Sequence, residues 1–237
     1  MTTRLTELCF DANDPLLLAR FWSGVLGRRR SDDSVTLRTD EDAGFPIRFR
    51  STQEAKTQPN QMHFDLASTS LDDQQQTVAR ALELGGRHLD IGQGPDADHV
   101  VLADPEGNEF CVIPPCNNFL AGCGFLGALS SDGSYAVGLF WSEALGWPLV
   151  WDQDEETAIQ SSRGGTKISW GGPPVRPKVG KNRLHLHLGP SIPDEGAAEV
   201  DRLVGLGATR IGVGQCGPGW VAMTDVDGNE LCVQAEA

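Results

Sequence analysis

The 237-residue sequence has no extended basic stretch: 19 Lys and Arg stand against 33 Asp and Glu, for a formal net charge of −14. A surface of that sign repels the phosphate backbone, so no nucleic-acid partner is expected. There is no apolar run near the roughly 18 to 20 residues of a membrane-crossing helix, and no basic N-terminal segment leading into an apolar stretch and a cleavage site. A cytoplasmic protein with no membrane partner is therefore expected. The six cysteines (Cys9, Cys111, Cys116, Cys123, Cys216 and Cys232) form no C-x-x-C pair and no disulfide-framework spacing, which agrees with a reducing compartment. Nor is the chain poor in apolar residues, for a hydrophobic content of 39% is enough to bury two cores and excludes a disordered class.

What the chain does contain, it contains twice. DPEGNEFCV, from Asp104 to Val112, returns as DVDGNELCV, from Asp225 to Val233. Each copy reads as a tight turn followed by a strand: Asp accepts backbone hydrogen bonds, Gly supplies positive φ, and polar and apolar residues then alternate. ARFWSGVLG from Ala19 matches GLFWSEALG from Gly138, MHFDL from Met62 matches LHLHL from Leu184, and ALELGGR from Ala81 matches LVGLGATR from Leu203. The blocks keep their order at a spacing of roughly 120, too long for a solenoid repeat and suited to a duplicated domain. Pro114-Pro115 and Asn117-Asn118 make the best linker, placing domains at 1–115 and 123–237 around a linker at 116–122.

Within the first half, Leu5 to Phe10 reads as a strand and Asp14-Pro15 as a helix start, with Leu18, Phe21, Trp22 and Val25 on one face and Gly27 as the stop. Short strands follow at 35–38 and 46–50, then a strand at 61–67, a helix at 71–84, and strands at 87–91, 99–103 and 109–113. The second half repeats the plan: a strand at 125–129, a helix at 134–145, strands around Leu149 and Ile168, a Pro-rich loop at 171–181, a strand at 183–189, a helix at 194–206 and three closing strands. The expected class is α+β, with four βαβββ units in curled mixed sheets.

Paired βαβββ units, an FWS…LG helix, an H-x-D/H strand and the closing D-x-x-G-N-E hairpin together resemble the glyoxalase/bleomycin-resistance/extradiol-dioxygenase superfamily (the vicinal oxygen chelate fold), and its glyoxalase-like branch in particular. The resemblance covers nearly all of both halves and implies tandem domains whose sheets curl into open cups. In metal-using members a divalent ion takes ligands from the first, fourth, fifth and eighth strands, which implies positions Glu7, His63 and Cys111 here, with Arg48 or Phe49 at the fourth. In the second half Glu7 maps onto Leu126, leaving His185 and Cys232. The implied cofactor is one divalent ion (Zn, Ni, Fe or Mn) held among Glu7, His63, Cys111, His185 and Cys232. Cups formed between halves would bring Glu7 to His185 and Cys232, and His63 and Cys111 to an apolar wall; cups formed within halves would not.

His63 and Asp65 stand two apart on a strand, as do His185 and His187, so each pair shares a face that can bind a metal or move a proton. Polar strand residues hydrogen-bonded inside a cup are the simpler alternative. Glu7, His63 and His185 are the candidate catalytic residues; Asp65, His99, His187 and Trp220 are candidate ligand contacts, His99 and Trp220 holding matching positions. Cys111 and Cys232 suit thiolate ligation or plain burial, and no basic neighbour in sequence marks either as a nucleophile. The Gly-rich loops at 92–98 and 214–219 are expected to rim the cups as flexible loops.

Two functions remain open: a metal-assisted lyase, isomerase or dioxygenase-type enzyme other than a glutathione-dependent glyoxalase I, or a metal-free protein that binds or sequesters a small, antibiotic-like molecule. The partner in either case is a small-molecule ligand. The four units in one chain imply a monomer built as an internal pseudo-dimer, or a weak homodimer.

Overall fold

The computed structural model describes residues 3–39, 44–94, 97–192, 195–212 and 216–236. They form four successive units. The first comprises β1 (Thr3–Ala12), α1 (Pro15–Leu26), β2 (Thr36–Leu37) and β3 (Ile47–Ser51), and the second β4 (Met62–Ala67), α2 (Leu71–Glu83), β5 (Arg87–His88), β6 (Val100–Ala103) and β7 (Glu109–Ile113). The third comprises β8 (Leu126–Ser131), α3 (Tyr135–Leu145), β9 (Leu149–Gln153), β10 (Glu156–Ile159) and β11 (Lys167–Trp170). The fourth is β12 (Leu184–Pro190), α4 (Gly196–Gly205), β13 (Thr209–Arg210), β14 (Trp220–Thr224) and β15 (Glu230–Gln234). The α+β class and the four-unit plan hold, with two local departures. In unit one the expected third strand shrinks to a single bridge between Arg30 and Leu37, and β10 went unread in the sequence. Asp194, the expected start of α4, and residues 95–96 and 213–215 of the Gly-rich loops lie outside the described residues.

The local signals act as their chemistry dictates. Asp14 accepts from the Leu17 amide at the N-terminus of α1, Ser70 from Asp73 at α2, and Ser134 from Val137 at α3. α1 and α3 both stop at a glycine with positive φ, Gly27 at 65° and Gly146 at 64°. The serine of each FWS block closes the turn that follows, Ser23 Oγ donating to Arg28 O and Ser142 Oγ to Trp147 O, both at 2.7 Å.

Each sheet takes one unit from either half. A seven-stranded sheet runs β13-β14-β15-β12-β1-β3-β2 and an eight-stranded sheet β5-β6-β7-β4-β8-β11-β10-β9. The units meet through antiparallel pairs at the centre, β1 with β12 and β4 with β8. Two modules that single-domain chains would bring together by dimerising are thus paired inside one chain. The even positions of β1, Leu8 and Phe10, face the helices, and the odd positions, Glu7 and Cys9, face the concave side. α1 lies between the sheets, with Trp22 edge-on to Phe64 and Phe110 at 4.9 Å each. Those rings bury large apolar area and favour edge-to-face geometry, so the two sheets share one core.

The repeated hairpin is the fastener of this architecture. Asp104 accepts from the Glu106 and Asn108 amides, from the Asn108 side chain and, at 3.2 Å, from the Trp22 indole. Asp225 repeats this with the Asp227 and Asn229 amides and the Trp141 indole at 3.0 Å. The next two residues tie down the preceding loop: Asn108 accepts from Asn60 and Glu109 from Lys56, as Asn229 does from Asn182 and Glu230 from Lys178. The D-x-x-G-N-E motif is therefore structural here, its Asp104, Asp225, Glu109 and Glu230 carboxylates accepting from protein donors.

Where the copies differ, packing tells why. Ala19 of α1 is matched by Gly138 of α3, and a Cβ on Gly138 would stand 2.0 Å from Thr157 Oγ1 and 2.6 Å from its Cβ. Gly138→Ala should accordingly destabilise the protein by about 1–3 kcal/mol through overpacking, although alanine favours helix. A denaturation midpoint at or above that of the parent protein would contradict the close approach of α3 to β10.

Candidate functional site

The concave faces of the two sheets hold the residues that sequence singled out, in two unlike settings. In the seven-stranded sheet, register pairs Glu7 with His187 and Cys9 with His185. The cups do form between halves, but Glu7 meets His187, with Nδ1 3.1 Å from Glu7 Oε1, and His185 faces Cys9 instead. The Glu7 carboxylate and the His187 ring are thus in direct contact across β1 and β12. His185 Nε2 and His187 Nε2 are 3.2 Å apart, and Trp220 stacks against His187 with ring centroids 4.9 Å apart. Cys9 escaped the sequence reading, although it lies two residues beyond Glu7 on the same face and at the place on its strand that His63 and His185 hold on theirs.

This first cup is closed: Cys9 and His185 are 0% exposed and His187 5%. Burial pushes the Cys9 thiol up to about 12, so it stays protonated. Burial holds His185 well below its ordinary value, helped by its neighbours His187, Lys181 and Arg50. Burial works against the Glu7 carboxylate, yet His187 and Arg48, whose Nε is 2.9 Å away, together hold it below the usual range.

Cys232 is not the free thiol the sequence reading took it for. It is bonded to Cys216, which precedes β14, with Cα atoms 5.9 Å apart. The bond joins a residue outside the strands to the middle of β15 across 16 residues of chain, a pairing that linear spacing does not reveal. The disulfide removes Cys232 as a ligand and also removes the argument for a reducing compartment.

The cup of the eight-stranded sheet is open by comparison. The His63 side chain is 35% exposed, with Asp65 and Cys111 beside it at 12% and 8%. His63 Nε2 lies 3.4 Å from Asp65 Oδ1, and Asp65 and Cys111 are register partners on β4 and β7. The expected apolar wall opposite them is instead polar. Ser130 Oγ donates to Asp65 Oδ2, Ser169 Oγ donates to Ser130 Oγ at 3.1 Å, and Lys167 sits in the same row as Ala128 and Asp65. The lysine is 6% exposed, donates to Phe119 O, and carries the Phe119 ring 5.1 Å from its Nζ. Phe119 belongs to the connection between β7 and β8 and packs edge-on against Trp151, so the link between the halves walls one side of this cup.

Burial opposes charge on His63, but Asp65 and Cys111 outweigh it and push the imidazole up to about 10. No basic residue neighbours Cys111 in sequence, but in three dimensions His63 stands beside it from another strand. His99, matched to Trp220 in sequence, is half-buried at the outer edge beside His88 and Gln93 and joins neither cluster.

Ligating atoms of Cys9, His185 and His187, and of His63, Asp65 and Cys111, lie within 4.8 Å of one another in each cup. Distance alone would admit an ion, but charge opposes one. At the fourth-strand positions, where the resemblance implies a further ligand, stand Arg48, the register partner of Cys9, and Ser169, the register partner of Ser130, so neither cup gains a carboxylate there. A hard divalent ion needs anionic oxygen ligands, which these sets do not supply in number; a borderline ion such as zinc would find only three donors in each.

Residues 7–113 and 128–234 each match the model of the glyoxalase-like domain. The fold is similar to that of glyoxalase I from Zea mays, which is 15% identical over 99% of this chain and 93% of that one, with a TM-score of 0.62. A single-residue variant of the Zea mays enzyme gives 16% identity over 99% and 93% of the two chains, with a TM-score of 0.62. A glyoxalase-related enzyme from Fulvimarina pelagi, 16% identical, covers 53% of this chain and 96% of its own with a TM-score of 0.41, too low to carry an argument. A comparison with curated proteins gives no match. At such identities the likeness to solved structures is one of fold. With two matched segments spanning most of its length, the chain belongs to the glyoxalase-like domain family, which it contains twice in tandem.

Proposed function

We infer that this protein binds one small organic molecule in the cup of the eight-stranded sheet, without a metal ion, and that it is not a glutathione-dependent glyoxalase I. The observation that carries this reading is the contrast between matching histidines: His63 is partly exposed, with Asp65, Ser130 and Ser169 converging beneath it, while His185 is sealed in. Convergent polar groups beside an aromatic side, here Phe119 and Trp151, are a usual form of small-molecule site. The closed cup then serves as a structural counterpart. The metal-assisted alternative rests on the proximity of the ligating atoms, and Arg48 and Ser169 at the fourth-strand positions, neither of them a carboxylate, weigh against it.

Elemental analysis of protein purified without chelator or added metal should give zinc, nickel, iron and manganese far below one ion per chain. Near-stoichiometric metal, or turnover of the methylglyoxal–glutathione hemithioacetal after metal loading, would decide for the alternative. Titration with a bound compound should saturate near one site per chain, and His63→Ala should weaken it about tenfold or more. Two equal sites would overturn the assignment to a single cup.

A further inference from the structure

We propose that Cys111 is a nucleophilic thiol that captures α,β-unsaturated carbonyl compounds in this cup, with His63 as its acid–base partner and Asp65 as the residue that positions His63. The proposal rests on the binding reading above and adds to it a reactive group and a ligand class.

Three observations converge. Cys111, His63 and Asp65 bring a thiol, an imidazole and a carboxylate within 4.8 Å of one another, the set of groups that activates a cysteine nucleophile. Asp65 is fixed from behind by the Ser169-to-Ser130-to-Asp65 relay of hydroxyls, so its free oxygen is directed at His63. The thiol is also distinct from the chain's other cysteines. Cys9 is sealed and stays protonated, Cys216 and Cys232 are bonded to each other, and Cys116 and Cys123 lie on the connection between β7 and β8, outside both clusters. The imidazole, whose Nε2 is 3.4 Å from Asp65, lies within reach of the sulfur and takes its proton as the thiol reacts.

The chemistry selects the ligand. Thiolate sulfur attacks the β-carbon of an enone or enal, the π electrons move onto the carbonyl oxygen as an enolate, and the His63 imidazolium returns its proton at the α-carbon. One S–C and one C–H bond form while the S–H bond and the C=C π bond break, so the addition needs no oxidant, leaving group or water. An apolar or aromatic body on the electrophile would rest on the side of the cup walled by Phe119 and Trp151.

Cinnamaldehyde, a flat aromatic enal, tests this in the full chain carrying Cys116→Ser, with intact mass and peptide mapping as readouts. One adduct per chain at Cys111 is expected, lost in Cys111→Ser, with formation slowed about tenfold or more in His63→Gln. An adduct only at Cys123, or a rate unchanged by His63→Gln, would overturn the proposal. If His63→Gln does not fold, Ser130→Ala leaves His63 in place while loosening Asp65; it too should slow the reaction, and an unchanged rate would be equally decisive against it. Binding of the unreactive analogue 3-phenylpropanol to Cys111→Ser reports on the cup alone, so it should persist even if the covalent step is absent and fail only if the binding reading fails.

Discussion

Asp104→Ala should lower the free energy of unfolding by about 3–5 kcal/mol, because one buried carboxylate satisfies two turn amides, an amide side chain and the indole of Trp22. Removing it strands those donors in a site of 0% exposure and leaves a void beside the aromatic cluster. Asp104→Asn, which keeps an acceptor oxygen and the volume, should cost about 1–2 kcal/mol. The matched Asp225→Ala should fall in the same range as Asp104→Ala, since Trp141 and Asn229 depend on it in the same way. Chemical denaturation of the three variants checks this; a loss below about 1 kcal/mol for either alanine would show that the hairpin does not fasten the helices.

The pH dependence of stability should have two arms, assigned to histidines at matching positions. His185 has its folded value depressed by burial and by His187, Lys181 and Arg50. A depressed imidazole supports folding above its unfolded value near 6.5, and that support is lost as acid forces a proton onto it, so His185→Asn should blunt the loss of stability below about pH 6.5. His63 is displaced the other way, to about 10. Its contribution is fully present below pH 6.5 and disappears as pH rises through about 10, so His63→Ala should flatten the curve between those limits. Denaturation midpoints across pH 5–10 for the two variants test both signs. Parallel curves would refute the claim that the cups are electrically unlike.

Much of the fold was legible because its signals are local. Asp14-Pro15, Ser70, Ser134, Gly27 and Gly146 mark helix ends through atoms within a few residues of themselves, and the duplicated blocks exposed the four-unit plan. β10 was missed because it opens on charged, turn-like residues and its apolar part is only two residues long. The candidate site was legible in residue type and not in partnership. His63 and Asp65 stood out as a pair, yet Ser130, which fixes Asp65, lies 65 residues away, and Lys167 reaches the cup from β11. Cys9 was hidden for the same reason, since register between strands decides its partner; the Cys216–Cys232 bond was hidden because Cys216 lies outside the strands and its approach to β15 is tertiary.

The exchange of units between halves also sets an order of assembly as the chain is made. Every strand of the eight-stranded sheet comes from one continuous span, Met62 to Trp170, whereas the seven-stranded sheet joins the chain's two ends, Thr3–Ser51 with Leu184–Gln234. During synthesis the open cup can close as soon as β11 has emerged, while β1 keeps an unpaired edge until β12 arrives more than a hundred residues after β3. The first strand made is thus among the last to be completed, and the cup that carries His63 and Cys111 is built before its sealed counterpart.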